Sequence, residues 1–469
     1  MRKITILTSL IMLVACLSAT PKLTVVVLVD GMTSDNISRL QPYLQQGGLR
    51  TLAEEGYKTS LTFPHLVYGG DETVATLLTG KTPFEHGYAM DSVFDTQKRK
   101  PVPLLEDKKV TGIGTTLQLS PEALMSPTLA DRLKASDKDA KIYAVGLHPY
   151  TTVLMAGHCA TACCWLDPAA QQWVSTGYYD YGLPAAADDF NRSGRIAELA
   201  GRSWTPRMSL FTYLQPTEKE KKSGFTYLNA STLLLTPAAN TLVIELALAL
   251  QQRETLGKDN IPDMLLLELN TLTPQTTSDY IETAEQEDIY LCLNQDLGYL
   301  MDQLDKRIGS DSYQILLIGV PRKSISQSVH TTLHLAQQDF NIDRAAALLN
   351  TYLMALYGHE RWVDGAYGNT IFLNRKLIEQ KKMNLAAMQR QAANFMMEFE
   401  GVKFAYTQLD LLSQPALLAS YNKRYMGDVI VSRYSQWHNP TAPVLFRAGA
   451  RRTFPAQLTI DDLLQLLEL

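Results

Sequence analysis

Residues 23–29 read LTVVVLV and end in Asp30. A run that is apolar at odd and even positions alike would leave half its side chains in water as an edge or half-exposed strand, so it has to be covered on both faces, as in the middle of a parallel sheet. Three further runs have this character, KIYAVGL at 141–147, DMLLLEL at 263–269 and YQILLI at 313–318. Helical segments separate them, and that alternation predicts an α/β chain, a three-layer α/β/α sandwich around a mostly parallel sheet. Asp30 falls at the carboxyl end of the first strand, where open α/β sheets build their sites, although an Asp there also commonly caps a turn.

Helical spacing is read over 36–56, 238–256, 280–304 and 340–357, and Ser126-Pro127-Thr128 is read as the start of another helix, with Ser126 as its cap. The formal net charge of −5, in a chain with well-mixed signs, gives no electrostatic footprint for nucleic acid. Residues 1–19 have Arg2 and Lys3 before an apolar stretch too short to span a bilayer, the form of an export signal. Within it Leu13-Val14-Ala15-Cys16 resembles a lipobox, which would make Cys16 the acylated residue, while Leu17-Ser18-Ala19 fits ordinary cleavage. Both outcomes place the mature chain of 20–469 outside the cytoplasm, in the periplasm or on the outer membrane, with membrane contact only through lipid on Cys16. In an oxidising compartment Cys159, Cys163, Cys164 and Cys292 invite a local disulfide, and their spacing makes a poor zinc site.

Residues 61–91, LTFPHLVYGGDETVATLLTGKTPFEHGYAMD, read as a tight turn delivering a helix that closes at Thr79-Gly80. A helix N-terminus offers free N–H groups and a favourable dipole to an anion, and a hydroxyl on its first turn could attack a phosphoryl group. Thr79, Gly80, Pro83, His86 and Gly87 stand at the spacing of the nucleophile segment of the alkaline phosphatase superfamily, and the segment resembles the phosphate-irrepressible bacterial type, related to type I phosphodiesterase/nucleotide pyrophosphatases. The likeness continues through Ala156-Gly157-His158, Ser175-Thr176-Gly177-Tyr178-Tyr179, Ala366–Gln380 and Pro443-Val444-Leu445-Phe446. It implies a two-zinc phosphoric ester hydrolase with a lid insertion over about 150–235.

The positions that carry chemistry in that family read differently here. The nucleophile position is Gly70, followed by Asp71 and Glu72. Of the metal-ligand positions only Asp30 keeps a ligand, against Thr273, Thr277, Val320 and Pro321, and the final metal histidine has no counterpart in the shortened loop before Pro443. The substrate-holding positions are Asp91, His148 and Tyr150 in place of an amide and two cations. The expectation is therefore a catalytically inactive relative that binds or scaffolds an envelope partner or ligand and takes no cofactor. The alternative is a metal-dependent phosphomonoesterase or phosphodiesterase with a rearranged site, either the family's two zinc ions or a hard cation held by Asp30, Asp71, Glu72, Asp91 and His86, and with Thr73 as a displaced nucleophile. His158 is expected to be structural.

Overall fold

The computed structural model describes residues 21–65, 70–209, 212–213, 225, 230–273, 283–321, 340–422, 424–432, 441–448 and 455–467. Sixteen strands are described, β1 Leu23–Asp30, β2 Tyr57–Thr62, β3 Ser92–Asp95, β4 Lys100–Pro103, β5 Gly112–Ile113, β6 Ile142–Gly146, β7 Ala162–Asp167, β8 Gln172–Thr176, β9 Asp263–Asn270, β10 Tyr313–Val320, β11 Val363–Tyr367, β12 Thr370–Leu373, β13 Phe404–Thr407, β14 Val429–Ser432, β15 Thr441–Arg447 and β16 Gln457–Leu458. The main sheet runs β16-β2-β15-β10-β1-β9-β6-β7-β8-β5. Its centre, β10-β1-β9-β6-β7, is parallel, and β15 and β8 add antiparallel strands on either side.

Every residue of β1 is buried, and its side chains divide between two cores. Val25, Val27 and Val29 point into the layer with the helices Pro237–Arg253 and Ala284–Ile308, and Val26 and Leu28 into the layer with Asp71–Thr79, Leu129–Ser136, Pro149–Ala156 and Ile460–Leu466. This is the three-layer sandwich, and full burial of each such side chain is worth about 1.5–3 kcal/mol. The same alternation decides the cysteines. Cys163 and Cys164 are neighbours on β7 but belong to opposite cores, and all four cysteines described are free thiols, so the expected disulfide does not form.

Other expectations need correction. The helix expected over 36–56 is broken into Ser34–Leu40, a short 3-10 turn Gln41–Tyr43 and Gly48–Glu54. Pro42 interrupts it, and Gly48, at φ +52°, passes so close to the long helix Ala284–Ile308 that an added Cβ would lie 1.9 Å from the Asn294 carbonyl oxygen. The helix expected to start at Ser126 begins at Leu129, because Thr128 and Asp131 form a reciprocal capping box. Within the span expected for the lid insertion, about 150–235, Ala162–Asp167 and Gln172–Thr176 are strands of the main sheet. The strands near 366 and 429 pair in a second sheet, β11-β12-β14-β13, separate from the main one; the helices Ile342–Tyr357 and Leu385–Met396 share its core.

Candidate functional site

Three strand ends meet where the chemistry was expected. Asp30 closes β1, opposite Val320 of β10 on one side and Asn270 of β9 on the other. The backbone is tied together there: the Thr271 amide and hydroxyl both donate to the Asp30 carbonyl, at 2.9 and 2.8 Å, and the Gly31 amide donates to the Val320 carbonyl at 3.1 Å. Asp30, Thr273 and Val320 are buried and Pro321 is half-buried; Thr277 lies outside the described residues. A zinc site requires three or four nitrogen, sulfur or carboxylate ligands. Beside the Asp30 carboxylate the described positions here supply hydroxyls, an amide and apolar groups, so the described residues of these strand ends do not by themselves make a zinc site.

Gly70 forms the N-cap of the helix Asp71–Thr79 with φ +113°, a backbone conformation that side chains rarely adopt. Its amide is not left for a ligand. The N–H donates to the carboxylate of Glu72 at 3.1 Å, and Glu72 is buried. On the same turn Thr73 is fully buried, and among the described residues its hydroxyl has no hydrogen-bond partner. Asp71 accepts from the Thr151 hydroxyl at 3.3 Å, and Asp91, exposed, accepts from the Tyr367 hydroxyl at 2.8 Å.

His86 is not available to a cation. Its Nδ1 accepts from the Tyr88 amide at 3.1 Å, so Nε2 carries the proton and donates to Thr76 Oγ1 at 3.1 Å, and the Thr76 hydroxyl can then donate to His65 Nε2 at 2.8 Å. Burial, with His65 adding to it, pushes the His86 imidazole down to about 3, which keeps it neutral. Among the described residues no three His, Cys, Asp or Glu side chains assemble into a set that could hold a metal. This corrects the hard-cation grouping of Asp30, Asp71, Glu72, Asp91 and His86.

His148 caps the helix Pro149–Ala156 and is held by a residue that sequence reasoning missed. Glu268, buried on β9, accepts from the Leu147 and His148 amides at 2.8 and 2.9 Å and meets His148 Nδ1 at 2.7 Å. These bonds and the His148 charge outweigh burial and hold the Glu268 carboxyl below its ordinary value. The signal was in DMLLLEL, since one glutamate inside a strand covered on both faces must have a partner. His158 is structural. Its ring spans from Asp131 at 2.9 Å to the Leu124 carbonyl at 3.2 Å, and the Asp131 carboxylate raises its proton affinity.

The central sheet, the helix delivered at Gly70 and the strand ends around Asp30 together define the class. Residues 24–437 match the model of the type I phosphodiesterase / nucleotide pyrophosphatase family, and the chain belongs to that family, within the alkaline phosphatase superfamily. Among its relatives, alkaline phosphatase PafA of Elizabethkingia meningoseptica is 26% identical over 397 residues, covering 78% of this chain and 71% of that protein. Alkaline phosphatase PhoV of Synechococcus elongatus is 25% identical over 472 aligned positions, covering 91% and 82%. The crystal structure of PafA shares the fold, with a TM-score of 0.83 over 96% of both chains at 22% identity.

Proposed function

We propose that this chain is a non-hydrolytic member of its family, an exported binding or scaffolding component of the bacterial cell envelope. The observation that carries the reading is the hydrogen bond from the Gly70 amide to Glu72. A helix start that would suit a phosphate is satisfied by a carboxylate of the chain itself, and that negative charge repels a second anion. Gly70 has no side-chain atom with which to attack phosphorus, and among the described residues the strand ends around Asp30 supply no second metal ligand.

The rearranged-hydrolase reading has one observation in its favour, the unpartnered hydroxyl of Thr73. Against it stands the burial of that hydroxyl, which keeps it from an incoming ester. The test is hydrolysis of p-nitrophenyl phosphate and bis-p-nitrophenyl phosphate by purified protein with added Zn²⁺ or Mg²⁺, together with its metal content. No turnover is expected from the wild type or from Gly70→Thr. That variant is also expected to lose about 1–3 kcal/mol of stability to denaturant, because a β-branched residue is strained at positive φ. Metal-dependent turnover abolished by Thr73→Ala would overturn the reading.

A further inference from the structure

On the side of the main sheet away from Gly70, a groove lies between the loop that precedes the helix Gly48–Glu54 and the long helix Ala284–Ile308. Leu49 and Leu52 of the first helix and Leu293, Leu297 and Leu300 of the second belong to one core, and Val74, Leu77 and Leu78 behind Gly70 belong to the other, so the sheet separates the two places. The groove has a volume of about 510 Å³, within the range of small-molecule sites, roughly 300–1,000 Å³.

Its walls are fixed by the fold. Asn294 is 2% exposed; its Nδ2 donates to the Gln45 carbonyl at 3.0 Å and its Oδ1 accepts from the Arg50 amide at 3.0 Å. The Gly47 amide donates to the Thr51 hydroxyl at 3.1 Å, and Gly298 comes so close that an added Cβ would lie 3.2 Å from the Gly48 nitrogen. A groove held in this way has little left to order when a ligand fills it.

The lining decides what it suits. Gln45, Gln46 and Gln295 present carboxamides, each a donor and an acceptor at once. Beyond one contact of 3.4 Å, from Gln295 Nε2 to Gln45 Oε1, none of these three side chains has a hydrogen bond among the described residues. No lysine or arginine lines the groove, and of its two carboxylates Asp302 is paired with Lys306 at 2.6 Å, which leaves Glu55. Such a set offers an anion no counter-charge and a cation a single one. Tyr43 and Tyr299, 52% and 51% exposed, stand beside it. Tyr299 is four residues beyond Gln295 and three before Asp302, on the same helix face, and Tyr43 is two residues before Gln45. An exposed tyrosine offers a rigid apolar ring with a polar tip. A sugar ring has the matching parts, a C–H face that stacks on such a ring and hydroxyls that donate and accept as carboxamides do.

We propose that this groove binds a neutral saccharide chain, with Tyr43 and Tyr299 stacked on sugar rings, Gln45, Gln46 and Gln295 bonded to hydroxyls, and Glu55 accepting from adjacent hydroxyls. The site goes beyond the reading of the Gly70 turn and stands whether or not that turn takes part in hydrolysis. The test is saturation-transfer NMR of the full chain with cellotetraose and, in a second arm, with chitotetraose, which separates a plain hexose chain from an acetamido one. Saturable binding is expected in at least one arm, and the tighter arm names the kind of sugar. Tyr299→Ala should weaken binding about tenfold and Gln295→Ala severalfold, and Tyr299→Ala should keep the wild-type thermal midpoint because half of that ring is already in water. Tyr181→Ala, which removes an exposed tyrosine following β8 near the edge of the main sheet, should leave binding unchanged. Binding in neither arm, undiminished binding in Tyr299→Ala or Gln295→Ala, or an equal loss in Tyr181→Ala would overturn the proposal. Displacement of the sugar by inorganic phosphate or by spermidine would also overturn it, since charge would then govern the groove.

Discussion

A carboxyl far from the candidate site gives the fold a pH dependence. Asp296, on the helix Ala284–Ile308, is pushed up to about 7 by burial, with the Thr241 hydroxyl, 3.2 Å from each oxygen, only partly offsetting it. Between the ordinary carboxylate value and about 7 the folded chain therefore holds a proton that the unfolded chain has released, so stability falls as pH rises through that window. Asp296→Asn is expected to flatten this part of the profile and to be more stable than the wild type above pH 7, as measured by urea denaturation at pH 5, 6, 7 and 8. A wild-type profile that rises across the window would contradict the assignment. At this scale the sequence was informative about side-chain identity and silent about pairing. Gly70 could be read directly as a position without a nucleophile, but that its amide turns to Glu72, or that Glu268 clasps His148, depends on backbone angles and strand register that no local pattern carries.

Among the elements, those with continuous apolar runs were legible and those held by long-range contacts were not. The strands β1, β6, β9 and β10 lie within two residues of where their runs place them, because burial on both faces leaves a signal at every position. The strands of the second sheet are short and interleaved with helices, so they carry too little pattern to show that they pair with each other rather than with the first sheet. In the stretch after Ala200, three described residues converge on one buried acid. Asp288 accepts from Trp204 Nε1 and the Arg207 amide, both at 2.6 Å, and from the Tyr213 hydroxyl. Asp288→Ala would leave these donors unpaired and is expected to cost about 3 kcal/mol or more. The loss should appear as faster proteolytic cleavage within 201–213 at denaturant concentrations where the main sheet is intact; cleavage at the wild-type rate would show that Asp288 is not the tether.

The two larger sheets described are joined through the segment that follows Gly70, which carries the small β3-β4 sheet. Phe94 stacks on Phe372 at 4.9 Å and lies against Gly365, the Asn422 side chain donates to the Pro83 carbonyl at 3.3 Å, and Ala89 and Met90 share a core with Leu417, Tyr421, Met426 and Ile430. Phe94→Ala is expected to cost about 1–2 kcal/mol, less than a full core deletion because Phe94 is only half-buried. The cost should fall unevenly, with amide exchange accelerated in β11–β14 more than in β1 and β9; equal acceleration everywhere would mean that the sheets do not open separately. This arrangement also sets an order in time. Asp91 and its partner Tyr367 are 276 positions apart, so the turn carrying Asp91 cannot settle until the chain beyond Tyr367 exists and has folded back. The slow step of folding is therefore expected to be the closing of this long loop, and the turn carrying Asp91 to be among the last parts of the molecule to form.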